Sequence, residues 1–324
     1  MRFLGNVLAT VIGIFVFMML SFFGIILIGV IFGGDSETVE VENNSVIELN
    51  LSDISDDYAG KYSDPWVTAF SERKKIGLTD VINAIEIAET DDAIKGISIL
   101  NTNSSLGMAQ SKELRDALNR FKKSGKFIYS YANSYSQKEY YLNSVANSIY
   151  INPIGELDFK GLSTEVMFFK DFQEKSGLKM EVIRHGKYKS AVEPFLENKM
   201  SDANKEQTMA LLNGIWTNIV EDISKSRNIP VEKLNTIANG LLARTPEMAK
   251  AQNLIDYIAY EDVYHNAIRK VLKVDKDEDY NTVSIADYTQ KTTTTSVNMD
   301  SNDAIAIVYA QGEIGSGEGD VNEI

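Results

Sequence analysis

The sequence predicts an α/β fold: a largely parallel sheet with helices packed on it, an added helical part, and one transmembrane helix in front. Three observations carry that prediction. The N-terminal segment is apolar for long enough to cross a bilayer, and behind it short apolar runs alternate with segments of three- and four-residue apolar spacing. A further stretch, from about Ser201 to Leu272, is helical by periodicity.

The anchor comes first in the chain. No charged side chain lies between Arg2 and Asp35, and Val7 to Phe32 is a run of 26 residues, nearly all apolar. At about 1.5 Å per residue that run exceeds the roughly 30 Å of a hydrocarbon core. A secretory signal has a shorter apolar region, about 7 to 15 residues, ending in small residues, and "GVIFGGDSE" offers no such ending. Residues 1–34 are therefore expected to be an uncleaved anchor that meets lipid through residues 7–32. Arg2 lies on one side and the acidic "GGDSETVEVEN" on the other, so the positive-inside tendency places the bulk of the chain on the extracytoplasmic side.

Residues 45–272 are expected to form one α/β module. "SVIELNL" (Ser45 to Leu51) and "GISIL" (Gly96 to Leu100) read as buried strands, with Val81, Ile82 and Ile85 at helical spacing between them. "SKELRDALNRFKKSGK" puts Leu114, Leu118 and Phe121 on one stripe that stops at Gly125, the place of a left-handed C-cap. The strand "FIYSY", a capping box at Ser136 and Glu139, and the strand "SIYI" follow. Beyond "FFKDFQEKSG", the run "MEVIRH" (Met180 to His185) reads as another strand. Leu212, Ile215, Trp216, Ile219, Val220 and Ile223 then mark a long helix. Tyr140, Tyr141, Phe168 and Phe169 are read as core or interface aromatics, and His185 as the partner of a local hydrogen bond.

Residues 273–301 are polar, acidic and threonine-rich and read as a linker. "DKDED" is read as a solvated charge run, because a calcium loop would place Gly where Tyr280 stands and Glu where Ala286 stands. "AIAIVYAQGEI", within residues 302–324, parallels "VIELNLSDI" and is expected to open a second copy of the module that is cut short after its first strand. The glycines at 312, 315, 317 and 319 do not form a dinucleotide-binding turn.

Composition narrows the chemistry. A balance of 46 acids to 32 bases gives −14, which argues against nucleic acid as a partner. Zero cysteines exclude disulfides and thiol catalysis, and two histidines argue against a histidine triad or metal site. No cofactor or metal is expected. Attention falls on "HGKYKSAVEPF", His185 to Phe195, with its two lysines. A lysine acts as a general base only when neutral, and lowering its pKa from about 10.4 to about 7 to 8 requires about 4 kcal/mol from burial or a close like charge. Ser190, Ala191 and Val192 after Lys189 are small or apolar groups suited to walling off an ammonium, whereas Lys187 lies between Gly186 and Tyr188. Pro194 suits the first turn of a following helix. On these neighbours alone an exposed loop lysine remains the simpler account.

"GKYKSAVEPFLENKMS" resembles the lysine motif of the signal peptide peptidase A family, also called protease IV, in its long two-module bacterial form. "SYSQKEYYLNSVANSIYINPIGELDFKGL" and "ISKSRNIPVEKL" look like segments of the same family, so the resemblance runs over essentially all 324 residues. It implies a ClpP/crotonase-like fold of repeated ββα units with added helices. It also implies a membrane-bound serine endopeptidase of serine-lysine dyad type, with Lys189 as general base and no cofactor. Implied partners are signal peptides and other short hydrophobic peptides, the inner-membrane bilayer, and further copies of the chain in a homo-oligomer. In the family the nucleophilic serine follows a Gly-Gly turn of the second module, a region expected beyond Ile324. Ser104 and Ser105 stand about where the glycines would be in the first module, and Leu106 about where the nucleophile would be. These serines, and Ser190 beside Lys189, are read as turn or hydrogen-bonding residues. The chain by itself is expected to be inactive. Two other classes stay open: a membrane-anchored scaffold that kept the fold without catalysis, and an acyl-CoA enzyme on the same fold.

Overall fold

The computed structural model describes residues 2–32, 40–55, 57–58, 76–100, 104–295 and 307–308. The chain divides into two units, Met1–Glu40 and Val41–Ile324.

The first unit is helix α1, Arg2–Phe32. Within it Gly5–Ile26, 22 residues or about 33 Å of helix, is long and apolar enough to span a bilayer. The Thr10 hydroxyl donates to the Asn6 carbonyl at 2.9 Å, so this polar group is satisfied inside the helix as lipid requires.

The second unit is built on strands β1 (Ser45–Asn50), β2 (Ile94–Leu100), β3 (Phe127–Ala132) and β4 (Ser148–Ile151). Helices α2 (Leu78–Thr90), α3 (Met108–Lys123) and α4 (Gln137–Asn143) connect them in turn. Each strand pairs in parallel with its predecessor, and β5 (Tyr257–Ile258) and β6 (Thr282–Ser284) close the two edges in the order β5-β4-β3-β2-β1-β6. Parallel strands need crossovers, and the predicted stripes supply them: Val81 and Ile85 of α2, and Leu114, Leu118 and Phe121 of α3, are all buried. Helix α3 stops where expected, with Gly125 at φ +87°, and α4 opens on the Ser136 and Glu139 capping box.

The opposite face of the sheet is aromatic. Helix α10 (Glu261–Leu272) lays Tyr264, Ile268 and Leu272 against Val46, Tyr131 and Tyr150. The Tyr264 hydroxyl shares a 2.6 Å hydrogen bond with Ser98, so Ser98 faces α10 and, by strand alternation, Ile97 and Ile99 face the other layer. Both faces are covered, which is why β2 reads as one buried run. Gly96 is required here, because a Cβ would lie 2.6 Å from the ring of Phe127, its partner across the ladder.

After β4 the chain leaves the sheet and forms α5 (Lys170–Ser176), the short α6 (Glu193–Leu196), the long α7 (Asp202–Arg227), α8 (Val231–Asn239) and α9 (Pro246–Ala251). Two expectations change. Met180 to His185 forms no strand and joins no ladder, and the sheet edge beside β4 is taken by β5. Residues 282–295 are not linker: β6 pairs with β1, and helix α11 (Ile285–Thr295) packs against α2. Its buried stripe is Ile285, Tyr288, Thr289 and Thr292, a helical spacing half made of threonines. Their hydroxyls are satisfied within the helix, donating to the carbonyls of Ala286 and Thr289. The strand expected in residues 302–324 lies outside the described residues, apart from residues 307–308.

Ile285→Ala is expected to destabilise the second unit by about 2 to 5 kcal/mol, whereas Lys276→Ala on the exposed turn before β6 stays within about 0.5 kcal/mol. Urea unfolding followed by circular dichroism checks this, and equal midpoints for the two variants would show that α11 does not pack.

Candidate functional site

The motif lysines sit on an arm that projects from the module. Phe159, buried against Tyr140 and Trp216, is the last core residue before it. Along the arm α5 ends at Gly177 with φ +74°, and α6 starts with Pro194 in its first turn, as the sequence predicts. The two helices hold each other. The Phe169 amide donates to the Pro194 carbonyl at 2.7 Å, the Gln173 amide group donates to the Phe195 carbonyl at 3.0 Å, and the Phe169 and Phe195 rings stack at 5.8 Å. Much of the rest of the arm's apolar surface is uncovered, with Met167 74%, Phe172 66% and Leu178 65% exposed and Ile183 fully so. An apolar surface of this kind marks a contact with something else.

The two lysines have different surroundings. Lys187 points to α7, where its amine lies 3.0 Å from Glu206 and 3.0 Å from the Tyr188 hydroxyl, which itself donates to Glu206 at 3.1 Å. The hydrogen bonds that Lys187 donates to Tyr188 and Glu206 raise its pKa and keep it charged. Lys189 makes no such pair among the described residues. Its backbone closes the turn, the amide donating to the Gly186 carbonyl at 3.4 Å and the carbonyl accepting from Arg184 at 3.3 Å, while its side chain is exposed. Ala191 is exposed and Ser190 and Val192 are half-buried, so the wall expected around Lys189 is not built by these neighbours. The reason is the arm itself, which carries the loop away from the core.

Glu193 is the one buried acid of the arm, and residue context had not singled it out. Its carboxylate accepts from the Ser201 amide at 3.3 Å and from the Asn204 side chain at 2.6 Å, fastening α6 to the start of α7. Burial pushes its pKa up, but hydrogen bonds from Ser201 and Asn204, with Arg184 nearby, outweigh that and hold it below the ordinary glutamate value. The available signal was a glutamate beside a helix-opening proline, eight residues before a serine N-cap.

Ser104 and Ser105 have turn roles. The Ser104 hydroxyl accepts from the Leu106 amide at 3.3 Å, Ser105 donates to the Ile54 carbonyl at 3.2 Å, and Lys138 donates to the Ser104 and Leu106 carbonyls. Leu106 is buried. Among the described residues no serine hydroxyl bonds the Lys189 amine, and no group of three or more histidines and acids converges as a metal site. His185 is exposed.

Fold and site together define a parallel α/β module with a projecting lysine arm. Residues 120–275, which include the arm, match Peptidase family S49. Protease 4 of Haemophilus influenzae is 31% identical over 304 residues, 89% of this chain and 49% of that protein. Protease 4 of Salmonella typhi is 33% identical over 251 residues, 74% and 40% respectively, and the chloroplastic serine protease SPPA of Arabidopsis thaliana is 30% identical over 274 residues, 85% and 39%. The chain belongs to peptidase family S49 and is of the Protease 4 type. It spans about half or less of the length of these relatives.

The depressed Glu193 pKa sets a pH window. The carboxylate's contribution is fully present above the ordinary glutamate value, about 4.3, and is lost as pH falls through the lower folded value. Amide exchange of residues 201–205, corrected for intrinsic pH effects, is expected to be flat from about pH 7 to about pH 4.3 and to accelerate below. Glu193→Gln removes that acid step. A step centred above the ordinary glutamate value would contradict the assignment.

Proposed function

We propose that this chain is the lysine-bearing part of a membrane-anchored serine peptidase of serine-lysine dyad type, which degrades cleaved signal peptides and other short apolar peptides. The observation that carries the reading is the state of the two motif lysines inside the S49-matching segment: Lys187 is held charged by Glu206, and Lys189 is free of any ion pair among the described residues. Lys189 is the general base. Its neutral amine takes the proton from a serine hydroxyl as the oxygen attacks the peptide carbonyl, and the resulting ammonium returns the proton to the departing amine. A water molecule, deprotonated by the same amine, then hydrolyses the acyl-serine. The chemistry needs no cofactor.

The family resemblance puts the serine on polypeptide outside residues 1–324, and the turn roles of Ser104 and Ser105 before α3 support that reading. The exposure of Lys189 implies the same partner. A neutral lysine needs about 4 kcal/mol from its surroundings, and a covering surface on the arm would both bury the amine and remove Met167, Phe172 and Leu178 from water. A second module, in a homo-oligomer of such chains, is that surface. Helix α1 holds the peptidase at the bilayer where apolar fragments collect, with the bulk of the chain on the extracytoplasmic side of the inner membrane. The same exposure favours, as a second reading, an inactive scaffold of this fold.

The test is hydrolysis of a fluorogenic apolar peptide by two forms, residues 1–324 alone and the chain extended by a serine-bearing second module. The first is expected to be inactive. In the second, Lys189→Ala lowers kcat by about 10² to 10⁴, while Lys187→Ala, which removes a surface pair, changes it only a few-fold. Turnover that Lys189→Ala leaves intact would sink the assignment, and no turnover in the extended form would favour the scaffold.

A further inference from the structure

A second feature of the module, separate from the arm, is a surface cleft of about 590 Å³ between α3 and the C-terminal half of α7. Five cations line it, Lys112, Arg115, Lys122, Lys123 and Lys225, against two carboxylates, Asp116 and Asp222, a local charge of +3 on a chain of −14. The carboxylates are already committed. Lys112 bonds Asp116 at 2.8 Å, and Asp222 lies 3.4 Å from Lys225 and 4.0 Å from Lys112. Arg115, Lys122 and Lys123 have no carboxylate within ion-pair distance among the described residues.

Arg115 is the informative one, at 1% exposure. Its guanidinium donates to the carbonyls of Tyr141, Leu142 and Asp222 and to the hydroxyls of Ser144 and Ser226, all neutral partners, and its buried Nε has none. A buried charge ordinarily meets a counter-charge. The crowding is felt next door, where burial first, then Arg227 and Arg115, lower the Lys122 pKa. The end of α3 accounts for Lys122 and Lys123 through the helix dipole, but not for a cation buried about two turns earlier.

We propose that this cleft binds a phosphate-bearing ligand, whose oxyanion is held by Lys122, Lys123 and the Asn119 side chain over the charge of Arg115. A phosphate group offers negative charge, single in a diester and up to double in a monoester, and several acceptor oxygens to the three unmatched cations. The cleft volume leaves room for an organic group on the phosphate. Two sources share this chemistry, a soluble phosphomonoester and the headgroup of an anionic phospholipid.

The test uses the full chain in nanodiscs and reads the acylation rate of Lys122 by mass spectrometry. In phosphatidylcholine discs glycerol phosphate is titrated at constant ionic strength. In a second arm the discs contain phosphatidylglycerol and no soluble ligand. Protection in the first arm identifies a soluble phosphoester, and protection only in the second a lipid headgroup. In either case the double variant Lys123→Glu/Lys225→Glu, at two exposed positions, is expected to weaken protection at least about tenfold with an unchanged melting temperature. Arg115→Gln, which puts the fold at risk, is used only if its melt matches the parent. Rates unaffected in both arms, or protection that survives the double charge reversal, would overturn the proposal.

Discussion

The position of the arm depends on one fixed helix end. Helix α7 is 26 residues long, about 39 Å, and only its C-terminal half is held by the module. Ile219, Val220 and Ile223 are buried there, and Arg227 makes a two-pronged pair with Asp256 at 3.0 and 2.8 Å. Asp256 in turn accepts from the Ile149 amide of β4, so the helix is referenced to the sheet itself. Arg115 adds a second tie through the Asp222 carbonyl and Ser226. The free half of α7 then carries the lysine loop, through Glu206 to Lys187 and through Asn204 to Glu193. The Arg227–Asp256 pair at the helix's base thus bears on where a lysine on the arm can stand.

That arrangement separates rigidity from exposure. The loop is clasped at both ends, yet Lys189 between them reaches solvent. The small and apolar residues that follow Lys189 in sequence do not cover its side chain, which stands exposed on the arm. The apolar side chains along the arm have the same unmet requirement, a covering surface. One covering surface on the arm would answer both together.

Strand and helix order through β4 was legible because each element carries its own periodicity: alternation with cover on both faces for the strands, and the stripes of α2 and α3 for the crossovers. The capping box at Ser136 and the left-handed Gly125 are equally local. Reading failed where a local pattern met a competitor elsewhere in the fold. Met180 to His185 has strand composition, but Tyr257 and Ile258, more than 70 residues later, hold the edge it would need. Helix α11 was hidden because threonines occupy half of its buried stripe, and a threonine counts as polar until its hydroxyl is seen to bond within the helix.

By itself, then, the sequence determined the apolar N-terminal helix and the α/β module, since both are written in runs of neighbouring residues, and it set Lys187 and Lys189 together in one motif. Only the tertiary structure decided that Lys187 is tied to Glu206, 19 residues away, that Glu193 fastens α6 to Asn204, and that Arg115 sits buried against α7 at a separation of 107 residues. It also decided that the small residues after Lys189 do not enclose it. The physical reason is common to all of these: periodicity reports which side of an element is buried, whereas a charge partner or a covering wall is a matter of which elements the fold brings together.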